Sequence, residues 1–301
     1  MRNFLKRLFG GKQGSGSLPP SNAKTAPLSD YQLSEITGEE IKGRLAQFIA
    51  GSALDIGLRR DNNEDGLLSI SGTLGVNSQS QPFGLFAVAD GMGGHRNGEV
   101  ASETALRALG SYVVSKLYQP LFGSNPEAPQ DSLSEIMESA VNEAHLQVKR
   151  AAPGGGCTLT AALAIGSQLV IAHLGDSRAY SIHTDGRIQT LTRDHSLVKR
   201  LEELGQISSE EAAVHPQKSV LYRALGQGNK VDVEIFTGQM PQRGSLLLCS
   251  DGLWGAVEDK DIQRIVNSTS NPHLACQYLV EAANAAGGPD NIAALLVRLA
   301  N

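Results

Sequence analysis

The chain has 301 residues, 41% of them hydrophobic, and a formal net charge of -5 at pH 7. This is material for one large core, or two domains at most, and the acidic balance argues against nonspecific nucleic-acid binding. No apolar run approaches the ~18 residues of a membrane span, the start lacks the apolar core of a secretory signal, and Cys157, Cys249 and Cys276 form no CxxC pair, so a soluble, cytoplasmic chain with buried thiols is expected.

Residues 1–48 read as a flexible N-terminal extension. Gly10 to Pro20 has linker composition. Before it, Phe4, Leu5, Leu8 and Phe9 share one helical face among Arg2, Lys6 and Arg7. Residues 1–12 are therefore a candidate for weak contact with an anionic membrane, against the plainer reading of a disordered tail, since two turns are marginal alone.

From about residue 50 the pattern is mixed. Glu99 to Tyr118 has apolar residues at helical spacing, and Ser132 to Val148 opens with the Ser132–Glu135 capping-box spacing. Cys157 to Ile165 reads as a strand, Gly166-Ser167 as a turn, and Gln168 to Leu174 as the returning strand. After the Gly175-Asp176 break, Arg178 to Ile182 continues as a strand and Thr184 to Arg187 as a turn. These elements read together as an antiparallel meander. Asn271-Pro272 pairs a cap with Pro at the first helical position; that helix runs towards Ala286, and Ile292 to Leu299 is a final strand. Grouped strands with long helices set apart suggest antiparallel sheets covered by helices.

Five acidic clusters carry the chemistry. They are Asn63-Glu64-Asp65, Asp90-Gly91-Met92-Gly93-Gly94, Gly175-Asp176-Ser177-Arg178, Ser250-Asp251-Gly252 and Asp290-Asn291. Each lies where an apolar stretch meets a turn. Carboxylates brought together this way repel one another unless a cation sits between them, and an all-oxygen shell suits Mg²⁺ or Mn²⁺. A single Asp-Gly is more often a turn; the argument rests on the set. Gly154-Gly155-Gly156 lacks the Lys-Ser/Thr of a nucleotide loop and reads as a plain loop.

In their order, the clusters resemble the metal-dependent protein phosphatases, the type 2C serine/threonine phosphatases, most closely the bacterial branch. The likeness runs from Gly57-Leu58-Arg59-Arg60-Asp61-Asn62-Asn63-Glu64-Asp65 through Val88-Ala89-Asp90-Gly91-Met92-Gly93-Gly94-His95, Gly175-Asp176-Ser177-Arg178 and Ser250-Asp251-Gly252-Leu253-Trp254 to Gly288-Pro289-Asp290-Asn291. It implies an α+β fold: a sandwich of two antiparallel β-sheets flanked by α-helices, in four layers. It also implies a catalytic domain over 49–301 with a flap over about 194–226.

The implied activity is hydrolysis of phosphoserine and phosphothreonine in proteins by a water bridging two Mn²⁺ or Mg²⁺ ions. By resemblance Asp90 bridges the ions, Asp251 and Asp290 complete one shell, and Glu64 and the Gly91 carbonyl hold the other. Asp176, with Asp251, would take a third, weaker ion; a turn is its plainer reading. Arg60 would grip the phosphate, with Arg59 as the competing candidate. Asn291 would support the shell from behind, and Asp65 would either do the same, through waters on the metal, or cap a turn. The expected partners are phosphoproteins made by a serine/threonine kinase, with the chain a monomer. Met92 stands where eukaryotic relatives often have His, so no general acid carries over. His95 is a candidate acid as well as a packing residue, His195 and His215 are substrate-contact or packing residues of the flap, and Trp254 reads as core. The rival readings are a non-catalytic sensor or scaffold and another metal-dependent phosphohydrolase.

Overall fold

Phe83 to Ala89 has no polar face, which suits a strand covered on both sides. The computed structural model describes residues 45–76, 79–93, 96–123, 126 and 129–300. The N-terminal stretch with its linker and membrane-contact candidates, and His95, lie outside the described residues.

Eleven strands among the described residues form two antiparallel sheets. One has the order β1 (Gln47–Asp55), β11 (Ile292–Ala300), β10 (Gly244–Cys249), β7 (Arg178–His183), β8 (Ile188–Thr190). The other runs β2 (Asp65–Val76), β3 (Gln79–Met92), β5 (Leu159–Ile165), β6 (Gln168–Leu174), β9 (Glu234–Gln239), with β4 (Gly156–Cys157) beside the end of β3.

Side chains on β3 alternate in what they meet. Phe86 and Val88 enter the core between the sheets, with Leu246, Leu248, Leu295 and Val297 from the facing sheet. Leu85, Ala87 and Ala89 face outward into a second core under helices α1 (Arg96–Val113) and α3 (Leu133–Ala151). Between those helices the chain makes one π-helical turn (Val114–Tyr118) and a short α2 (Gln119–Phe122). The opposite sheet is covered in the same way: Tyr180, Leu247 and Leu296 pack under α7 (Asp259–Ser268) and α8 (Pro272–Ala285). Each large aliphatic or aromatic side chain buried here contributes roughly 1.5–3 kcal/mol. The order of layers is helix, sheet, sheet, helix. Two shorter helices, α4 (Leu197–Glu203) and α5 (Ser209–Ala213), lie in the 194–226 stretch, and α6 (Asp251–Trp254) directly follows β10.

Local signals held where they were specific. The Ser132–Glu135 capping box forms in both directions, and Asn271 Oδ1 accepts from the amides of His273 and Leu274. Three readings need adjustment. The Glu99–Tyr118 helix starts earlier and its last turn is π-helical. The Cys157–Ile165 strand breaks at Thr158, whose hydroxyl is drawn to the amide of Asp90. The meander is divided: β5 and β6 pair in one sheet, but β7 and β8 belong to the other, so the Gly175–Ser177 break is a crossing between sheets. Alternation alone could not separate a hairpin from a crossing.

Candidate active site

Antiparallel strands alternate in direction, so one strand's end lies beside its neighbour's start. Asp65 opens β2, and the register makes it the direct partner of Asp90, two residues from the end of β3. Asp251 follows the end of β10, Asp290 precedes the start of β11, and Asp176 lies in the crossing from β6 to β7. All five carboxylates thus reach one end of the sandwich. A cavity of about 540 Å³ opens there, and every residue expected to be a ligand faces it: Glu64, Asp90, Gly91, Asp176, Asp251 and Asp290. Arg59, Arg60 and Asn291 also line it. Asp65 does not; it is buried beneath.

The carboxylates are held from behind. Ser250 Oγ donates to Asp65 Oδ2 at 2.6 Å and accepts from the Ala293 amide at 2.9 Å. Asn291 fastens the β1–β2 loop at three points: its Oδ1 accepts from the Glu64 amide at 2.8 Å, and its Nδ2 donates to the Ile56 and Asn62 carbonyls at 2.9 Å each. Thr158 Oγ1 accepts from the Asp90 amide at 3.0 Å and lies 2.6 Å from Ser177 Oγ. Trp254 packs its half-buried indole against the core, as expected, and its Nε1 also donates to the Asp176 carbonyl at 3.0 Å, bracing the crossing loop.

Glu64 is seated by glycines. A Cβ on Gly98, in the first turn of α1, would lie 2.2 Å from Glu64 Oε2, and one on Gly91 would lie 2.2 Å from the Gly98 carbonyl oxygen. A side chain at Gly91 would meet backbone, and one at Gly98 would displace the Glu64 carboxylate. Gly98 was missed in the sequence because nothing local distinguishes it from a weak helix residue. Thr158 and the Ser250 role were missed because their partners are remote in the chain.

Arg60 and Arg59 separate clearly. Arg60 Nη2 donates to Asp290 Oδ2 at 2.7 Å, and this bond holds the guanidinium firmly charged. Arg59 lines the same cavity but has no ion pair among the described residues. His195 turns away from the cavity: its buried ring accepts from the Gly175 amide at Nδ1 (3.1 Å) and meets Glu234 Oε2 at Nε2 (3.0 Å). His215 Nδ1 accepts from the Gln217 amide within its own turn.

Burial pushes these carboxyls strongly upward, and their neighbours' charges add to it. Asp65 and Asp176 rise to about 8, each through burial first and then repulsion from Asp251. Asp251 rises to about 6, through burial and Asp290, and Asp90 is also raised, through burial and then Asp65. Such a group of acids is costly without counter-charge. Two oxygens, Asp65 Oδ1 and Asp251 Oδ1, are buried with no hydrogen-bond partner. An all-oxygen set with unpartnered lone pairs fits a hard divalent cation. Among the described residues no three His, Cys, Asp or Glu side chains stand close enough together to hold one metal ion by themselves; the acidic side chains share the cavity without closing into a cage. The carboxylates of Glu64, Asp90, Asp176, Asp251 and Asp290, with Gly91, line the cavity that would take such ions.

Known proteins point the same way. The family profile described as protein phosphatase 2C matches residues 73–296. The serine/threonine phosphatase stp of Listeria innocua serovar 6a is 40% identical over 244 residues, 81% of this chain and 92% of that protein. The solved serine/threonine phosphatase PstP/Ppp of Mycobacterium tuberculosis superposes with a TM-score of 0.69 at 32% identity, covering 84% of this chain and 99% of that one. A PstP catalytic domain solved in complex with two manganese ions gives a TM-score of 0.68 at 30% identity, covering 85% of this chain and 100% of that one.

Proposed function

The chain belongs to the protein phosphatase 2C family, and on that premise we propose that it hydrolyses phosphoserine and phosphothreonine in proteins by direct attack of water, with no phosphoenzyme. It is a serine/threonine phosphatase of that type. The observation that carries the mechanistic reading is the convergence of Asp90, Asp251, Asp290 and Glu64 on one cavity, with Arg60 on its wall.

Two Mn²⁺ or Mg²⁺ ions held by these residues would supply a water of lowered pKa and offset charge building on the phosphoryl oxygens; the PstP complex with two manganese ions supports the pairing. Arg60 presents a planar fork suited to two phosphoryl oxygens, and its partner Asp290 keeps it aimed at the cavity. Asp65 and Asn291 hold the acidic strand ends from below. Water attacks phosphorus, the bond to the serine or threonine oxygen breaks, and inorganic phosphate leaves. Met92 lines the cavity where it can give no proton; in this reading the leaving oxygen takes its proton from water, with His95 as the competing donor. The 194–226 segment, with Ser219 and Leu221 on the cavity rim, acts as the flap, and Asp176 serves a third, weaker cation. The reading extends to a cytoplasmic monomer that opposes a serine/threonine kinase.

The test is phosphate release from a phosphothreonine peptide with Mn²⁺, with EDTA, and by Asp251→Ala. Metal-dependent release that disappears in the variant supports the whole reading. Folded protein that releases no phosphate with any divalent ion would move the chain to the non-catalytic scaffold reading.

A further inference from the structure

A second cavity, of about 480 Å³, adjoins the catalytic one and shares Asp176, Ser219 and Asp251 with it. One wall is Trp254, with the Arg178 guanidinium stacked 3.5 Å from its ring centroid; Val198 and Lys218 also face the space.

Its charges are nearly all committed. Arg178 forks onto both oxygens of Asp194 at 2.9 and 2.7 Å. Lys199 Nζ lies 2.9 Å from Glu202 Oε2, and Ser209 Oγ donates to the other Glu202 oxygen. Asp176 and Asp251 face the shared rim and belong to the cation cluster proposed above. The remaining charge is the exposed Lys218 ammonium, which makes no ion pair among the described residues although its charge is felt at Asp251. With Asp176 and Asp251 occupied by the proposed cations, a basic substrate side chain would find no uncommitted carboxylate here. An acidic one would find Lys218 at its tip and Trp254 and Val198 along its stem.

From this we infer that the second cavity is a subsite for an anionic side chain of the substrate, close in sequence to the phosphorylated residue, with Lys218 as its specificity-determining contact. The inference rests on the phosphatase reading. Extended peptide advances ~3.3 Å per residue, so a residue near the phosphoserine or phosphothreonine reaches an adjoining cavity. A carboxylate and a second phosphate share the needed chemistry.

The experiment compares Mn²⁺-loaded enzyme on phosphothreonine peptides in which Ala, Glu, phosphoserine or Lys is placed in turn at each position flanking the phosphothreonine. p-Nitrophenyl phosphate is run alongside. At one position Glu should raise kcat/KM about 2- to 5-fold over Ala, the range of a partly exposed ion pair. Phosphoserine, with close to two charges, should do at least as well, and Lys should fall below Ala. In Lys218→Glu the order at that position should invert, a change that loss of structure alone does not produce. A gain with phosphoserine but not Glu would assign the subsite to a second phosphate. A flat profile, or an acidic preference unchanged in Lys218→Glu, would overturn the subsite while hydrolysis itself continues. Failure to hydrolyse any peptide or p-nitrophenyl phosphate would instead overturn the phosphatase reading, and the subsite with it.

Discussion

Ser250 donates its hydroxyl hydrogen to Asp65 across 2.6 Å, beneath the cavity, although 185 positions separate them in the chain. The same hydroxyl oxygen accepts from the Ala293 amide. One side chain therefore ties the end of β10 to the starts of β2 and β11, which carry the acidic cluster between them. Removing it as Ser250→Ala leaves the buried Asp65 carboxyl without its one side-chain donor. We expect a loss of roughly 1–3 kcal/mol of stability, read by urea denaturation, together with weaker Mn²⁺ binding by calorimetry.

Asp251 is costly to the bare fold and needed by the site. Its carboxyl is raised by burial and by Asp290, and one of its oxygens has no partner. Asp251→Asn removes the charge and keeps the shape. Activity should fall by about 100-fold or more, as for loss of a principal electrostatic group. In EDTA the variant should melt no lower than the parent, while the rise in Tm that Mn²⁺ gives the parent should shrink.

The raised carboxyls also set a pH dependence in the absence of metal. A folded pKa above the unfolded value gives stability that is present below the unfolded value and lost as pH climbs through the folded one. For Asp251 the loss runs up to about 6, and for Asp65 and Asp176 up to about 8. In EDTA the Tm should therefore drop between pH 4.5 and 8.5, by roughly 5–10 °C for a few kcal/mol. Mn²⁺ should remove most of that drop. A Tm in EDTA that is level or rising across this range would contradict the account.

Gly98→Ala separates folding from metal binding. Alanine favours the helix by up to ~1 kcal/mol, but its Cβ would lie 2.2 Å from Glu64 Oε2. The helix should survive, as circular dichroism will show. The Glu64 carboxylate must move, so Mn²⁺ affinity should fall about tenfold or more, a 1.4 kcal/mol change.

Arg60→Ala should lower kcat/KM on a phosphopeptide by about 100-fold, and Arg59→Ala by far less. The difference follows from the Arg60–Asp290 bond, which fixes one guanidinium beside the acidic cluster; Arg59 lines the same cavity without such a partner.

The sequence by itself determined the acidic residues, their order and the local elements around them. Asp90 after an apolar run, the Ser132 capping box and the Asn271-Pro272 helix start were all legible, because hydrophobic run length, capping and turn chemistry act within a few residues. The tertiary structure alone decided which strands share a sheet. It moved β7 and β8 across from β5 and β6, set Asp65 opposite Asp90, and brought Ser250 under Asp65 and Gly98 against Glu64. These relationships join residues tens to hundreds of positions apart. They arise when two sheets bury their apolar faces against each other, a long-range packing event that no local pattern encodes.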